Sequence, residues 1–311
     1  MSICSDEDGV NSVRPRQLEY HICDVFTIRL LEGNPLAVFP DAAPLSEIEM
    51  QAIARETNLS ETTFILRRDP NTEGQRGIRV RIFTTREELP FAGHPTVGTA
   101  ATIRRVFPEY ARAEKIVLDL NAGQIPVLFP PERNTDTICY SVMTQPEPVF
   151  GPVHQLSTIA PLLGLREQDC ATEPPTQTVS TGIPYCIVLL RSVEALSRLR
   201  VDLAAAELYF KSSEAKFFYA LAPEQPGVYR ARMQFYGGED PATGSAAGCA
   251  IAWLVRHGIA APGEFIHIRQ GIEIRRPSDL YASANSISGN ITDVRLGGST
   301  VHVAKGLFFL E

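Results

Sequence analysis

The 311-residue sequence has no run approaching the ~18 consecutive apolar residues of a membrane-spanning helix. Its opening residues 1–17, MSICSDEDGVNSVRPRQ, lack the apolar segment of a secretory signal. They read as a loose N-terminal tail on a cytoplasmic protein that needs no membrane. Positive charge is in deficit: 29 Lys and Arg against 36 Asp and Glu give a net charge of −7. That balance excludes a general nucleic-acid binder, which needs basic excess to meet phosphates. Six cysteines are scattered at 4, 23, 139, 170, 186 and 249, without a CxxC pair or a neighbouring His cluster, so no zinc site is expected. Isolated thiols suit a reducing compartment, and Cys23, Cys186 and Cys249 sit in apolar runs that read as core. There is no GxGxxG after a strand, no GxxxxGK[ST], no HExxH and no GxSxG. A nucleotide cradle, a metal helix and a serine elbow are therefore not expected. A small-molecule enzyme built this way would rely on acid and base side chains alone, with no cofactor and no metal.

What the chain does have is an ordinary globular composition, 44% hydrophobic and 21% charged. At roughly 150 residues per domain its length suits two domains. From Tyr20, YHICDVFTIRLLEGNPLAVF reads as two strands around Gly33-Asn34-Pro35. A helix follows, with Ser46 as N-cap, Glu49 completing a capping box, an apolar stripe of Ile48, Met50, Ile53 and Ala54, and an end near Asn58. LSETTFILRR and IRVRIFTT read as strands, and ELPFAGHPTVGTAATIRRVF as a turn into a helix that stops before Pro108. KIVLDLNAGQIPVLF and TICYSVMTQ add further strands.

The second half repeats this order. TGIPYCIVLL matches EGNPLAVF, SSEAKFFYALAP matches LSETTFILRR, RARMQF matches RVRIF, and DPATGSAA from Asp240 matches HPTVGTAA from His94. Four motifs in one order at nearly one spacing predict two homologous halves. Each is a mostly antiparallel sheet around one central helix, an α+β architecture. The loop Pro130–Asp136 is the best candidate for a boundary. The division expected is a tail at 1–17, an N-terminal half at 18–135 joined by a last strand at 300–311, and a C-terminal half at 136–299.

The paired turns are the main candidates for chemistry. Gly93-His94-Pro95 and Asp240-Pro241 each precede small residues at a helix start, Thr96, Gly98 and Thr99 in one case and Thr243, Gly244 and Ser245 in the other. Small residues let a ligand reach the backbone, and free N–H groups at a helix start attract anions. Two such starts facing each other would bind a carboxylate, with His94 and Asp240 on opposite sides of it. Ser, Thr and Asp also cap helices in any protein, but recurrence in both halves favours a site. Glu61 lies between a helix end and an apolar strand, and Glu214 holds the similar place in the second half. An apolar pocket would raise a Glu pKa towards neutrality and suit it as a general base; spacing alone favours a solvated surface Glu. His21, His154, His257, His267 and His302 look isolated, with His257 in a last helical turn before Gly258.

EDPATGSA at 239–246, LPFAGHPT at 89–96 and NLSET at 58–62 resemble the PhzF-like phenazine-biosynthesis isomerases. GNPLAVF at 33–39, QGIEIRRPS at 270–278 and VRLGGS at 294–299 also fit, and the likeness runs from about residue 18 to 311. The resemblance implies a diaminopimelate epimerase-like fold, a site in the cleft between two pseudo-symmetric halves, and a homodimer. It implies a cofactor-independent isomerase of a small carboxylate, similar to the one acting on trans-2,3-dihydro-3-hydroxyanthranilate. It gives Glu61 the role of base, and His94 and Asp240 roles in proton handling and substrate orientation. Ser60, Gly93, Gly244 and Ser245 become substrate-binding positions. Two features depart from the pattern. MQFYGGED, with Tyr236 and Gly237, reads as an altered loop bordering the cleft, and tail 1–17 has no counterpart. No Cys stands at either paired turn, which disfavours two-thiolate racemisation. The alternatives are an epimerase or another carbon-acid enzyme on the same scaffold, and a non-catalytic dimeric binding protein. Retention of Glu61, His94 and Asp240 speaks against the last.

Overall fold

A computed structural model describes residues 16–236 and 238–310. Of the expected loose tail 1–17, residues 1–15 lie outside the described residues, and Arg16 and Gln17 belong instead to the first strand. Strand β1 (Arg16–Val25) starts earlier than the apolar run at Tyr20 suggests, because its first residues pair through their backbone with the chain's last strand, Arg16 opposite Leu310. After it come β2 (Asn34–Phe39), α1 (Glu47–Thr57), β3 (Thr62–Leu66), α2 (Pro70–Arg76), β4 (Ile78–Phe83) and the two-residue β5 (Glu88–Leu89). The central helix α3 (Gly93–Val106) and strands β6 (Lys115–Leu120), β7 (Gly123–Leu128) and β8 (Ile138–Thr144) follow.

Local chemistry sets these elements. In α1 both arms of the capping box form: the Glu49 N–H donates to the Ser46 hydroxyl and the Ser46 N–H donates to the Glu49 carboxylate. Asn58 ends the helix in the left-handed region at φ 51°. One member of the expected stripe is wrong. Met50, Ile53 and Ala54 are buried, but Ile48 is 82% exposed. At 3.6 residues per turn, Ile48 lies on the opposite face from Met50. In β4 the alternation is as read, with Ile78, Val80 and Ile82 inward and Arg79 and Arg81 outward.

The second half contains β9 (Val149–Val153), α4 (Leu156–Leu162), β10 (Gln177–Ser180), β11 (Pro184–Leu189), α5 (Val193–Arg198) and α6 (Leu203–Lys211). It continues with β12 (Phe217–Gln225), β13 (Val228–Arg232), the hairpin β14 (Gln234–Phe235) and β15 (Gly238–Glu239), and the second central helix α7 (Gly244–Arg256). It closes with β16 (Ile266–Gln270), β17 (Ser278–Ile287) and β18 (Asn290–Leu310).

The pairing pattern repeats between halves. Both are mostly antiparallel, and each has two parallel pairs at corresponding places: β2–β3 and β4–β6 in the first, β11–β12 and β13–β16 in the second. The 21-residue β18 joins them. It pairs with β17 through residues 290–297, with β8 through 295–301 and with β1 through 300–310. The contact with β1 closes the first sheet into a barrel around α3, while the second sheet ends on β9. The expected division at 135 falls between β7 and β8, neighbours in one sheet.

The two helix starts do not coincide with the sequence register of HPTVGTAA on DPATGSAA. Helix α3 begins at Gly93, so His94 and Pro95 lie in its first turn, where Pro is tolerated. Helix α7 begins only at Gly244, after Asp240, Pro241 and the N-cap Thr243. The Asp240–Thr243 segment stays out of the helix because Gln270 clamps it. The Gln270 amide donates to the Asp240 carbonyl (2.8 Å) and accepts from the Thr243 N–H (3.1 Å). The helices instead meet glycine to glycine. A Cβ on Gly93 would stand 2.5 Å from the Gly244 Cα and from the Ser245 nitrogen, distances no side chain can adjust. Gly93→Ala is expected to cost about 1–3 kcal/mol by overpacking and to lower the thermal midpoint. Gly74→Ala, on the open face of α2 with nothing within 4 Å, is the control and should leave the midpoint unchanged or slightly raised.

Candidate active site

The cleft forms where α3 and α7 begin. Glu61 follows the α1 terminus, His94 occupies the first turn of α3, and Asp240 precedes α7. All three line one cavity together with Gly93, Gly244 and Ser245. Ser60 does not line it; its hydroxyl turns to Asp240 Oδ1 at 3.4 Å. Glu214, the expected counterpart of Glu61, is exposed and takes no part.

Sequence reasoning missed Asn34, which organises the polar side. Its amide nitrogen lies 2.7 Å from Asp240 Oδ1, 2.9 Å from the Ala242 carbonyl and 3.2 Å from His94 Nδ1. His94 and Asp240 therefore do not face each other across a ligand, as expected from the paired turns, but share one amide. The available signal was the GNP turn, read only as a turn. Reversing the amide would set its oxygen against Asp240 and the Ala242 carbonyl, both acceptors. With the nitrogen facing them, a proton on His94 Nδ1 would oppose the amide protons, so the ring proton sits on Nε2, which points at Glu61 Oε2 3.5 Å away.

Asn34 is fixed from the other half. Arg276 Nε donates to the Gly33 carbonyl (2.9 Å), and its Nη2 to the Glu32 carbonyl (2.8 Å) and buried Asp24 (2.6 Å). Gln270 and Arg276 both belong to the QGIEIRRPS segment, which thus holds Asp240 and the turn that precedes Asn34. Asp240 further accepts from the Thr243 hydroxyl at 2.7 Å.

Electrostatics separate the two carboxyl groups. Burial raises the Glu61 pKa well above the ordinary carboxylate range, and the Asp240 charge raises it further. Burial also raises Asp240, but hydrogen bonds from Thr243, Asn34 and Ser60 oppose this by favouring its anion. Burial lowers the His94 pKa to about 3, so the ring stays neutral at working pH. Among the described residues, Glu61 Oε2, His94 Nε2 and Asn34 Oδ1 are buried without a hydrogen-bond partner. Three such atoms at one place are what a ligand site leaves for its ligand.

The rest of the wall is apolar. Tyr185, Phe217, Phe235 and Tyr236 form an aromatic face, with Phe235 and Tyr236 rings 5.0 Å apart and Phe217 and Phe235 6.3 Å apart. Tyr185 also bonds the Ser245 hydroxyl at 2.8 Å. The altered loop does border the cleft, through Phe235 and Tyr236; Gly237 lies outside the described residues. Arg86 from the first half stacks 4.0 Å over Tyr236, and Lys216 pairs with Glu87 at 2.7 Å, so the halves touch across the mouth. The enclosed cavity of about 30 Å³ holds a water or two. A cyclic substrate needs these walls to part.

Elsewhere, Cys23, Cys186 and Cys249 are core residues as read, and His257 caps α7. The remaining histidines are not isolated. The His21 and His302 rings lie 5.0 Å apart, His267 bonds Asp279 at 2.7 Å, and His154 bonds Thr178 at 2.7 Å. Among the described residues no group of three His, Cys, Asp or Glu side chains could hold a metal ion.

Comparison with known proteins agrees with this site's setting. A sequence model of the phenazine biosynthesis-like proteins (PhzC-PhzF) matches residues 23–306. The chain is 36% identical over 294 residues to trans-2,3-dihydro-3-hydroxyanthranilate isomerase of Pseudomonas aeruginosa, covering 94% of this chain and 99% of that one. A predicted epimerase from Pseudomonas aeruginosa superposes with a TM-score of 0.80 at 33% identity, covering 94% and 99% of the two chains. A hydroxyproline epimerase from Agrobacterium vitis superposes with a TM-score of 0.68 at 11% identity, covering 96% and 93%, and shares the fold alone. The fold is diaminopimelate epimerase-like.

Glu61 makes a substrate-free prediction. Its folded pKa is raised, so its stabilising contribution is full below the unfolded value and is lost as pH rises through the folded one. Glu61→Gln keeps the neutral shape at every pH. The difference in thermal midpoint, variant minus wild type, should therefore grow more positive between pH 5 and pH 8.5; a flat or falling difference would contradict the raised pKa.

Proposed function

The chain belongs to the phenazine biosynthesis-like protein family and is an isomerase; from that premise we propose that it moves a proton between two carbons of a small cyclic carboxylate, with Glu61 as the general base. The observation that carries this reading is the unpaired Glu61 carboxyl facing the unpaired His94 Nε2 at 3.5 Å in a cleft between two helix starts.

The substrate carboxylate sits against the N–H groups around Gly93, Gly244 and Ser245, where the dipoles of α3 and α7 both favour an anion. Glu61, ionised, takes a proton from one ring carbon, and the electron pair delocalises towards the carboxylate. His94 Nε2–H steadies the charge that develops. Protonated Glu61 returns the proton to a second carbon, so reactant and product have the same atoms and electrons and no cofactor enters. A raised pKa suits this cycle, because a base near the working pH both loses and regains its proton readily. Asp240 remains the anion of the pair and orients substrate polar groups through Asn34 and Ser60. The aromatic face supports a flat, unsaturated ring. Trans-2,3-dihydro-3-hydroxyanthranilate, the substrate named for the 36% identical relative, has these features and is the first compound to test.

The five described cysteines are all free, which supports a reducing compartment such as the cytoplasm. Exposed Leu307 and Phe309, two apart on one face of β18, support a homodimer.

With that substrate, Glu61→Gln is expected to lower kcat by about 10²–10⁴-fold. The acid limb of wild-type kcat/KM should lie above the ordinary carboxylate range. In deuterium oxide, label at a carbon other than the one deprotonated identifies isomerisation; exchange at one stereocentre identifies epimerisation instead. Full turnover by Glu61→Gln would remove Glu61 from the base role.

A further inference from the structure

Helix α3 runs from the cleft to a second cavity, about 20 Å away along its 14 residues. This cavity of about 460 Å³ lies between the last turn of α3, the segments around residues 111 and 134–139, and β18. Arg104, Arg105 and Arg112 line it, and none of them forms an ion pair with a described residue. Asp136 is the one carboxylate among its described lining residues. Three guanidinium groups against one carboxylate leave two positive charges unbalanced, in a chain whose net charge is −7. His302 adds none, because burial and the neighbouring cations lower its pKa to about 4.

Arg104 and Arg105 stand in the last helical turn, where they complement the dipole. Arg112 lies beyond the helix and gains nothing from it. A separate observation points to a ligand. Thr300 is only 5% exposed and lines the cavity, yet its hydroxyl has no partner among the described residues. The Arg104 Nε is likewise buried and unpaired, although its other nitrogens reach Asn134 Oδ1 (3.4 Å) and the Ala111 carbonyl (3.3 Å), and its plane stacks on Phe129.

We propose that this cavity is a binding site for a phosphate dianion, free or carried on an organic monoester. A phosphate monoester carries about −1.5 to −2 charges at pH 7 and matches the unbalanced charge; a monocarboxylate would not. Guanidinium forks fit phosphate oxygens in pairs, and the Thr300 hydroxyl supplies a further donor. Ala101, Ala111 and Ile138 offer apolar wall for the carbon part of the ester. The site is separate from the cleft, so its test does not depend on the isomerase substrate.

The test is calorimetric titration, with thermal midpoints alongside, using inorganic phosphate, phenyl phosphate and acetate at matched ionic strength. Both phosphates should bind and raise the midpoint, and acetate should not. Arg105→Gln with Arg112→Gln should weaken phosphate binding by about tenfold or more, while the unliganded midpoint falls only slightly, since neither side chain makes a hydrogen bond to a described residue and only the Arg105 charge at the helix end is lost. Thr300→Val should weaken it severalfold without altering charge, and Glu61→Gln should not affect it. Tighter binding of phenyl phosphate identifies an ester as the ligand, and equal binding identifies free phosphate; either supports the site. Absence of phosphate binding, unchanged binding in the double variant, or equal protection by acetate would overturn it.

Discussion

Two helix N-termini press together at Gly93 and Gly244, backbone against backbone. Like dipole ends brought this close repel, and a negative charge between them relieves that repulsion. The arrangement of the molecule serves this contact. Each half wraps a sheet around one helix and buries most of it, and the two N-termini meet at Gly93 and Gly244. The long β18 belongs to both sheets and fixes the relative placement of the helices. An anion-seeking cleft is therefore a consequence of the topology rather than of any one side chain.

Within that cleft, two carboxyl groups stand in unequal surroundings. Asp240 has donors from Thr243, Asn34 and Ser60; Glu61 has none. Asp240 is buried and Glu61 largely so, but only Asp240 has hydrogen bonds that favour its anion, which hold its pKa to about 6 against burial. The proton of the pair consequently belongs to Glu61, whose carboxyl faces a neutral imidazole rather than an imidazolium. Neutrality of both Glu61 and His94 leaves Asp240, held by neutral donors, as the single charged group of the three.

Much of this was legible in the sequence, and the limits have physical causes. Capping boxes, alternating strands and turn glycines are local, so α1, β4 and the turn before β2 could be read directly. Glu61, His94, Asp240, Gly93, Gly244 and Ser245 all line the cleft they were expected to line. Ile48 was misassigned because its apolar character was given more weight than its angular position on the helix. The register of the paired turns was misjudged because Gln270, distant in sequence, keeps Asp240–Thr243 out of the helix. The partners of Asn34 come from two other segments, around His94 and around Asp240, and no spacing rule reveals such a three-way junction.

The sequence by itself determined most of the elements and the duplication, since these rest on side-chain type and on contacts a few residues apart, and it supplied Glu61, His94 and Asp240 as candidates. The tertiary structure decided which of those groups are paired and which are left unpaired. It made His94 and Asp240 share one amide, left Glu61 without a donor, and gathered three arginines around the far end of α3. Such facts depend on which strands lie side by side. That is set by burying two helices at once within a sheet joined through β18, a constraint on the whole chain that no local pattern encodes.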